Sequence, residues 1–229
     1  LYNDTFAQYF ANDKYTSNVC VPNDDWSQEY WNKVWGWISG LNEVIRTCSG
    51  NEKYVNSVQI ARIWRVWIFS RTTDLFGDIP YSEALKGESE EIYFPAYDSQ
   101  RAVFLGMLKE LDEADRLFAA GATFEGDYIY NGDVTKWRKA VNVLQLKLLL
   151  NLYRKVDDAE LNVKGRIQDI LANRPIFESE ADNFQIIFSN KAGQKYPFFK
   201  EINSFTNNDR MTNILIDKLK ELKDYRLFY

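Results

Sequence analysis

The sequence predicts an all-α protein whose helices form stacked antiparallel pairs in a tetratricopeptide-like arrangement, with long aromatic-rich loops. Apolar residues recur every three or four positions through four long segments, which is the spacing of one helix face. Turn-forming residues separate these segments, and short connections favour antiparallel neighbours. The sequence does not repeat itself at a fixed period of about 34 residues, so the comparison with tetratricopeptide repeats concerns packing alone.

The first two helices are predicted at residues 26–49 and 52–76. The apolar stripe of the first comprises Trp26, Tyr30, Val34, Trp37, Leu41, Ile45 and Cys48. The second helix is apolar on two faces, so we expect it to be buried on both sides. Gly77 suits the left-handed residue that closes this helix, and Pro80 prevents its continuation. Three rings on helical stripes are expected in the core: Trp37, Trp64 and Trp137.

The next two helices are predicted at residues 99–119 and 134–155, each with an apolar stripe of helical spacing. Residues that can cap their starts are Asp98, Ser99, Asp133 and Thr135. A shorter helix is expected at 158–173 and a final one at 211–222. Between them, residues 194–206 read as an aromatic loop, and strand content is expected to be minor.

The composition excludes several classes of function. The 229 residues contain no histidine, which removes histidine triads, histidine-ligated metals and an imidazole general base. The two cysteines, Cys20 and Cys48, form either one disulfide or two buried fillers. The net charge of -5 and the lack of a basic run argue against nucleic acid as a partner. The acidic stretch 83–91 lacks the spacing of a calcium loop, so neither a metal nor a cofactor is predicted.

Five segments together resemble the SusD/RagB family. Residues 68–85 resemble the family's "TDxxGDIPYSEAL" segment, and residues 97–100 resemble its "YDxQ" helix start. Residues 127–142 are similar to "DLIYNGDxxKWxKFAN", and residues 224–229 resemble "DPRLxxY" with Tyr225 in place of the proline. The family's early helix is matched by Trp31, Trp35, Ile38 and Asn42. The segments occur in the family's order, and this makes the set specific.

The resemblance implies a non-catalytic lipoprotein of the outer membrane of Bacteroidetes-type bacteria. Such a protein is surface-exposed and lipid-anchored, captures an oligosaccharide, and delivers it to a SusC-like TonB-dependent transporter. Members of the family are longer and have a lipidated N-terminal cysteine. We therefore expect residues 1–229 to form a single SusD-like helical domain within a longer chain, with the membrane reached only through an anchor outside this chain.

Three other functions are considered beside oligosaccharide capture. The RagB branch of the family implies peptide binding. An all-α glycoside hydrolase would need two carboxylates that face each other across a cleft, and no motif marks such a pair. A helical-repeat scaffold that binds another protein would present one contiguous exposed apolar patch.

Aromatic residues in loops are the candidates for ligand binding, because helical stripes do not account for them. Aromatic residues make up 16% of the chain, and a planar ring can stack on the C–H face of a sugar while neighbouring amides bind its hydroxyls. The predicted ligand-binding residues are Tyr15, Asn23, Trp26, Tyr128, Tyr130, Tyr196, Phe198 and Phe199. In the alternative interpretation, these rings anchor their loops to the core. Trp26 also fits the first position of its helix's apolar stripe.

Overall fold

The computed structural model of the chain describes residues 10–12, 24–120, 126–189, 191, 193–196 and 209–228, with the backbone alone at 10–12, 24–26, 209 and 228. The chain divides into two compact units. The larger unit comprises residues 28–187, and the smaller comprises residues 1–27 and 188–229.

The larger unit is built from helices. They are α1 (Asp24–Cys48), which belongs to this unit from residue 28 onward, α2 (Val55–Phe76), the short α3 (Gly87–Glu90), α4 (Gln100–Leu117), α5 (Val134–Asn151) and α6 (Val163–Asn173). Short 3-10 turns lie at Glu52–Tyr54, Tyr153–Lys155 and Glu180–Asp182. The four long helices and the shorter helix predicted from the apolar periodicity are confirmed.

Helices α1 and α2 form an antiparallel pair. Near the start of α1, the hydroxyls of Tyr30 and Thr72 are hydrogen-bonded at 3.3 Å. Further along α1, Asn42 Oδ1 accepts a 2.6 Å hydrogen bond from Nη1 of Arg65. As the residue number increases along α1, the number of the residue contacted on α2 decreases, so the two helices are antiparallel. Large rings from α1, including Trp31 and Trp35, fill the space between these two helices.

Helix α2 packs on its other side against α4, again antiparallel. The Asn56 side chain donates to the carbonyl of Ala119 at 3.0 Å and accepts from its amide at 2.9 Å, which joins the start of α2 to the end of α4. At the opposite end, Gln100 Nε2 donates to the carbonyl of Thr73 at 2.7 Å. Since both α1 and α4 cover it, α2 is buried on two faces, as its sequence predicts.

Helices α5 and α6 continue the stack beyond α4. Arg138 of α5 donates from Nε to Asp115 of α4 at 2.8 Å. The fully buried Asn142 donates to the carbonyl of Pro175 at 3.1 Å, just after α6, so its amide satisfies a loop carbonyl as expected. The side chains with the least solvent exposure lie in this stack and include Val34, Ile38, Met107, Leu108, Leu111, Trp137, Leu148, Leu149, Leu161 and Ile170.

The expected core position is confirmed for Trp137, which is 1% exposed, and is wrong for Trp37, which is 50% exposed. The buried face of α1 contains Val34 and Ile38, both fully buried. Trp37 precedes Ile38 by one residue, so its ring lies beside the buried face and contacts Tyr30 edge-on, with 6.1 Å between centroids. The buried face of α1 therefore includes Ile38 and excludes Trp37, although the apolar stripe predicted from the sequence includes Trp37.

The described residues of the smaller unit form a two-stranded antiparallel sheet, the first turn of α1, a further helix and a 3-10 turn at Tyr225–Phe228. Strand β1 (Phe10–Asn12) pairs with β2 (Asp209–Met211), with Phe10 opposite Met211. Helix α7 (Asn213–Glu221) is capped by Thr212, whose hydroxyl accepts from the amide of Leu215 at 3.4 Å. None of the described helices combines the length and apolar character needed to cross a lipid bilayer.

Two leucines of α5 provide a test of this packing. Leu148 is fully buried and Leu150, two residues later, is 64% exposed. We expect Leu148→Ala to lower the free energy of unfolding by about 2–5 kcal/mol, because it leaves a cavity. Leu150→Ala should change it by no more than about 0.5 kcal/mol. Urea unfolding followed by circular dichroism measures both, and equal effects of the two variants would contradict the proposed core face of α5.

Candidate functional site

The residues predicted to bind ligand are only partly described by the structure. Outside the described residues lie Tyr15, Asn23, Phe198 and Phe199. Trp26 lies in the first turn of α1, where only the backbone is described. The side chains of Tyr128, Tyr130 and Tyr196 are described, and their environments differ.

Tyr128 and Tyr130 have opposite environments although only one residue separates them. Tyr128 is 83% exposed, whereas Tyr130 is 7% exposed. The Tyr130 hydroxyl donates to the carbonyl of Asp182 at 2.7 Å, and its ring contacts Trp137 edge-on at 5.4 Å. Burial, together with the charges of Asp182 and Asp127, raises the pKa of Tyr130 to about 12. The structure thus corrects the prediction for Tyr130, whose ring lies in the core and offers no surface to a ligand, while Tyr128 is accessible.

Asp127 holds the turn that contains these two tyrosines. Its carboxylate accepts hydrogen bonds from the amides of Ile129 and Gly132, each at 2.9 Å, and from Nε1 of Trp137 at 2.8 Å. Burial acting alone would raise the pKa of Asp127, but these hydrogen bonds lower it below its ordinary value. The turn is therefore attached to the first part of α5 through one carboxylate.

Tyr196 belongs to the smaller unit, in which it contacts Phe188 edge-on with 5.2 Å between ring centroids. Nearby, the amide of Ser189 donates a hydrogen bond of 2.8 Å to the carbonyl of Gln194. Half of the Tyr196 surface is exposed. The ring is accessible to a ligand on its outer side.

The segment after α2 and the segment before α4 are joined by hydrogen bonds. Ile79 and Asp98 exchange backbone hydrogen bonds of 3.2 and 3.0 Å. The Asp98 carboxylate accepts from the amides of Ser82 and Tyr81, at 2.8 and 3.1 Å, and from the Ser82 hydroxyl. Burial acting alone would raise the pKa of Asp98, but these donors lower it below its ordinary value. Both segments carry motifs of the family resemblance, and their residues here shape a loop.

This loop forms one wall of a groove in the larger unit. The groove has a volume of about 970 Å³ and lies between the second half of α1 and residues 81–93, with α2 and α4 at its floor. The volume falls at the upper end of the range for small-molecule sites, about 300–1,000 Å³. Its lining combines rings, hydroxyls and amides with charged side chains, among them Ser39, Asn42, Phe69, Tyr81, Ser82 and Tyr93.

An ion pair with additional hydrogen bonds forms the floor of the groove. Arg65 donates from Nε to Oε1 of Glu110 at 3.0 Å, and its Nη2 donates to the same oxygen. The other carboxylate oxygen, Oε2, accepts from the Tyr81 hydroxyl at 3.3 Å. Arg65 also donates to Asn42. Four side chains from α1, α2, α4 and the loop are thereby held in one network.

Burial affects the protonation of this network. It raises the pKa of the Glu110 carboxyl above its ordinary value, although the guanidinium of Arg65 opposes the shift. Burial and the charge of Glu110 raise the pKa of Tyr81 as well. Both Glu110 oxygens nevertheless receive hydrogen bonds from groups that favour the charged carboxylate. The carboxylate is therefore held in place as an acceptor.

The wall formed by residues 81–93 has an unusual backbone. Leu85 and Glu91 adopt φ values of 59° and 58°, in the left-handed region that side chains other than glycine seldom occupy. A Cβ added at Gly87 would lie 3.3 Å from Cδ1 of Tyr93, so this ring packs on the glycine backbone. Tyr93 is itself 71% exposed and stands at the edge of the groove. The strained wall thus presents one large ring beside the cavity.

Sequence reasoning did not identify the residues of this groove. Arg65 is one of several charged residues that interrupt the apolar positions of α2, and Glu110 lies among the apolar positions of α4. A charged side chain at a buried position needs a partner. This requirement is the feature of the sequence that could have identified both residues. The groove itself depends on the loop path, which the periodicity does not define. Among the described residues, no group of three or more cysteine or acidic side chains is placed to hold a metal ion.

Comparison with known protein families and solved structures agrees with the family resemblance of the sequence. Residues 1–229 match the model of the SusD-like family described as starch-binding and associating with the outer membrane. A solved Bacteroides vulgatus outer-membrane protein associated with nutrient binding is 30% identical, with a TM-score of 0.83 over 99% of this chain and 48% of its own.

Two further solved structures are similar. A SusD homologue from Bacteroides fragilis is 30% identical, with a TM-score of 0.80 over 98% of this chain and 47% of its own. A chitin-binding protein is 26% identical, with a TM-score of 0.82 over 100% of this chain and 49% of its own. The chain thus spans about half the length of the solved structures that it matches. No curated protein sequence matches it.

The hydrogen bonds of Asp127 predict a pH-dependent effect. Because the pKa of Asp127 is lowered in the folded state, its contribution to stability is present above the unfolded-state pKa, near 4, and is lost as the pH falls through the folded-state value. We expect Asp127→Asn to lower the free energy of unfolding at pH 7 by about 1–3 kcal/mol, since a buried donor is left without its charged acceptor.

Urea unfolding at pH 7 and pH 3 measures this effect. The difference between the variant and the unmodified protein should shrink at pH 3. Asp157→Asn, at an exposed aspartate, is the matched control and should have little effect at either pH. A difference for Asp127→Asn that is the same at both pH values would contradict the role assigned to the carboxylate.

Proposed function

The chain belongs to the SusD-like family, and we propose that it captures a carbohydrate nutrient at the cell surface and passes it unaltered to a TonB-dependent transporter of the SusC type. In this proposal the protein is held at the outer membrane by a lipid anchor outside the present chain. The relatives named above supply the general role, since one is associated with nutrient binding and another is a chitin-binding protein.

The groove of the larger unit is the observation that carries this proposal. It offers the side-chain types that recognise a sugar, namely the accessible ring of Tyr93 together with the amide of Asn42 and the hydroxyl of Ser82. A ring contributes apolar contact with the C–H face of a pyranose, and amides and hydroxyls bind its hydroxyl groups. Asn42 lies on α1, which packs against α2, and the loop that carries Ser82 and Tyr93 is held by Asp98, so the ligand contacts have fixed positions.

The aromatic residues first identified in the sequence belong to the same proposal. We include Tyr15, Asn23, Trp26, Tyr128, Tyr196, Phe198 and Phe199 as further ligand-binding residues of the whole protein. Tyr130 is omitted because its ring is buried. The accessible rings of Tyr128 and Tyr196 support this part of the proposal.

One observation favours a second candidate function, the hydrolysis of glycosidic bonds. Burial raises the pKa of Glu110, and a carboxyl with a raised pKa at a groove is a feature of glycosidase general acids. Arg65 and Tyr81 donate hydrogen bonds to both oxygens of Glu110, however, and this arrangement favours an anchored carboxylate over a proton donor. We therefore propose binding without turnover.

A glycan array followed by calorimetry on the intact protein tests binding, and an assay for new reducing ends tests turnover. We expect binding of at least one oligosaccharide with no reducing ends above the blank. Sustained release that is abolished by Glu110→Gln and preserved in Glu52→Gln, at an exposed glutamate, would instead support a hydrolase.

Trp26 provides a test of the aromatic residues near the start of α1. We expect Trp26→Ala to weaken oligosaccharide binding by about 1–3 kcal/mol, the range for a stacked ring, with little change in melting temperature. Trp137→Ala, which removes a ring of the core, should lower the free energy of unfolding by about 3–5 kcal/mol. If Trp26→Ala resembled Trp137→Ala in stability and bound the oligosaccharide normally, Trp26 would be a core residue.

A further inference from the structure

We propose that the groove between α1 and residues 81–93 is a subsite for an uncharged sugar unit, in which Tyr93 stacks on the ring and Asn42 donates to a hydroxyl. The inference rests on the proposed capture of carbohydrate and adds the contacts that Tyr93 and Asn42 make and the class of sugar that the groove accepts. The residues of this subsite are separate from the aromatic residues identified in the sequence.

The direction of the Asn42 amide follows from its partner. Arg65 can only donate hydrogen bonds, so the oxygen of the Asn42 amide must face it, and the two atoms are 2.6 Å apart. The amide nitrogen therefore points away from Arg65. No hydrogen-bond acceptor for this nitrogen is found in the part of the chain that the structure describes, and Asn42 lines the groove. Its two N–H groups are available to a ligand hydroxyl.

The charged side chains of the groove are mostly paired with one another. Arg46 lies 2.6 Å from Glu43, and Lys86 lies 3.1 Å from Glu90. Arg65 is engaged by Glu110 at the floor. Each of these cations already has a carboxylate partner.

Glu88 also lines the groove. Its carboxylate forms no salt bridge among the described residues. The groove therefore has a small excess of negative charge, formed by four carboxylates against three cations. An acidic sugar would be repelled by this excess of negative charge, and each cation of the lining already has a carboxylate partner. A neutral sugar needs only hydrogen bonds and ring contact, which the groove supplies.

Tyr93 is placed to make the ring contact. Its ring is supported on one side by the backbone of Gly87, and 71% of its surface is exposed. A supported ring loses little conformational freedom when a sugar stacks on it. The adjacent residue, Phe94, is 95% exposed and does not line the groove, so it offers a matched control for a lost exposed ring.

The test uses the intact protein and a panel of neutral oligosaccharides built from glucose, N-acetylglucosamine, mannose, galactose or xylose, with oligogalacturonate as the acidic probe. For a neutral oligosaccharide that binds, we expect Tyr93→Ala to weaken affinity by about 5- to 150-fold, the effect of a lost stacked ring. Asn42→Ala should weaken it as well, and Phe94→Ala should leave it unchanged. Oligogalacturonate should not bind at this groove.

Hydroxyl-radical footprinting provides a second measurement that needs no variant. The neutral oligosaccharide should protect Tyr93 from oxidation and leave Phe94 reactive. Binding that is unaffected by Tyr93→Ala, without protection of Tyr93, would overturn the inference and leave carbohydrate capture to the other proposed ligand-binding residues. Binding of oligogalacturonate that depends on Tyr93 would overturn the assignment of a neutral sugar. Failure of every oligosaccharide to bind would overturn the proposed function and the inference together.

Discussion

The burial of α2 on two faces is the constraint on which the larger unit depends. Helix α2 is covered on both sides, yet it carries Arg65 near its centre, with a side chain that is only 23% exposed. A buried cation is costly unless it is paired and hydrogen-bonded. Glu110 of α4 supplies the pair and Asn42 of α1 supplies a further acceptor, so the requirement of one charge couples three helices. The same network forms the floor of the groove, and the packing of the stack and the shape of the candidate site thus have a common origin.

Two aspartates fix the loops around this stack. Asp98 collects hydrogen bonds from the segment that leaves α2, and Asp127 collects them from the turn before α5. In each case backbone amides of a loop are satisfied by one carboxylate. The loops consequently have defined paths although most of their residues lie outside helices and strands. The motifs that produced the family resemblance therefore have a structural explanation, since both aspartates and the residues they bind lie within those motifs.

The helices could be predicted from the sequence because the 3.6-residue period of apolar side chains reports directly on a buried helix face. Even there, the prediction of the buried face of α1 was wrong at Trp37. Trp37 and Ile38 are both apolar, and only contact with α2 decides which of them is buried. The site was harder to predict. Whether a tyrosine faces solvent depends on the turn around it, and Tyr128 and Tyr130 have the same sequence context with opposite exposure. Arg65 and Glu110 lie 45 residues apart, and their pairing follows from the packing of α2 against α4, which local spacing does not encode.

The arrangement of side chains in the groove favours ligand binding over catalysis. The two charged side chains at its floor, Arg65 and Glu110, are directed at each other, which leaves their charges compensated before any ligand arrives. Catalysis of glycoside hydrolysis would require a carboxyl free to give up a proton and a second one across the cleft. Binding of a neutral sugar requires a rigid surface with an accessible ring and free amide donors; Tyr93 supplies the ring, and the Asn42 amide nitrogen has no acceptor among the described residues. A site of this kind holds its ligand by many weak contacts and releases it unchanged, as the proposed role in nutrient capture requires.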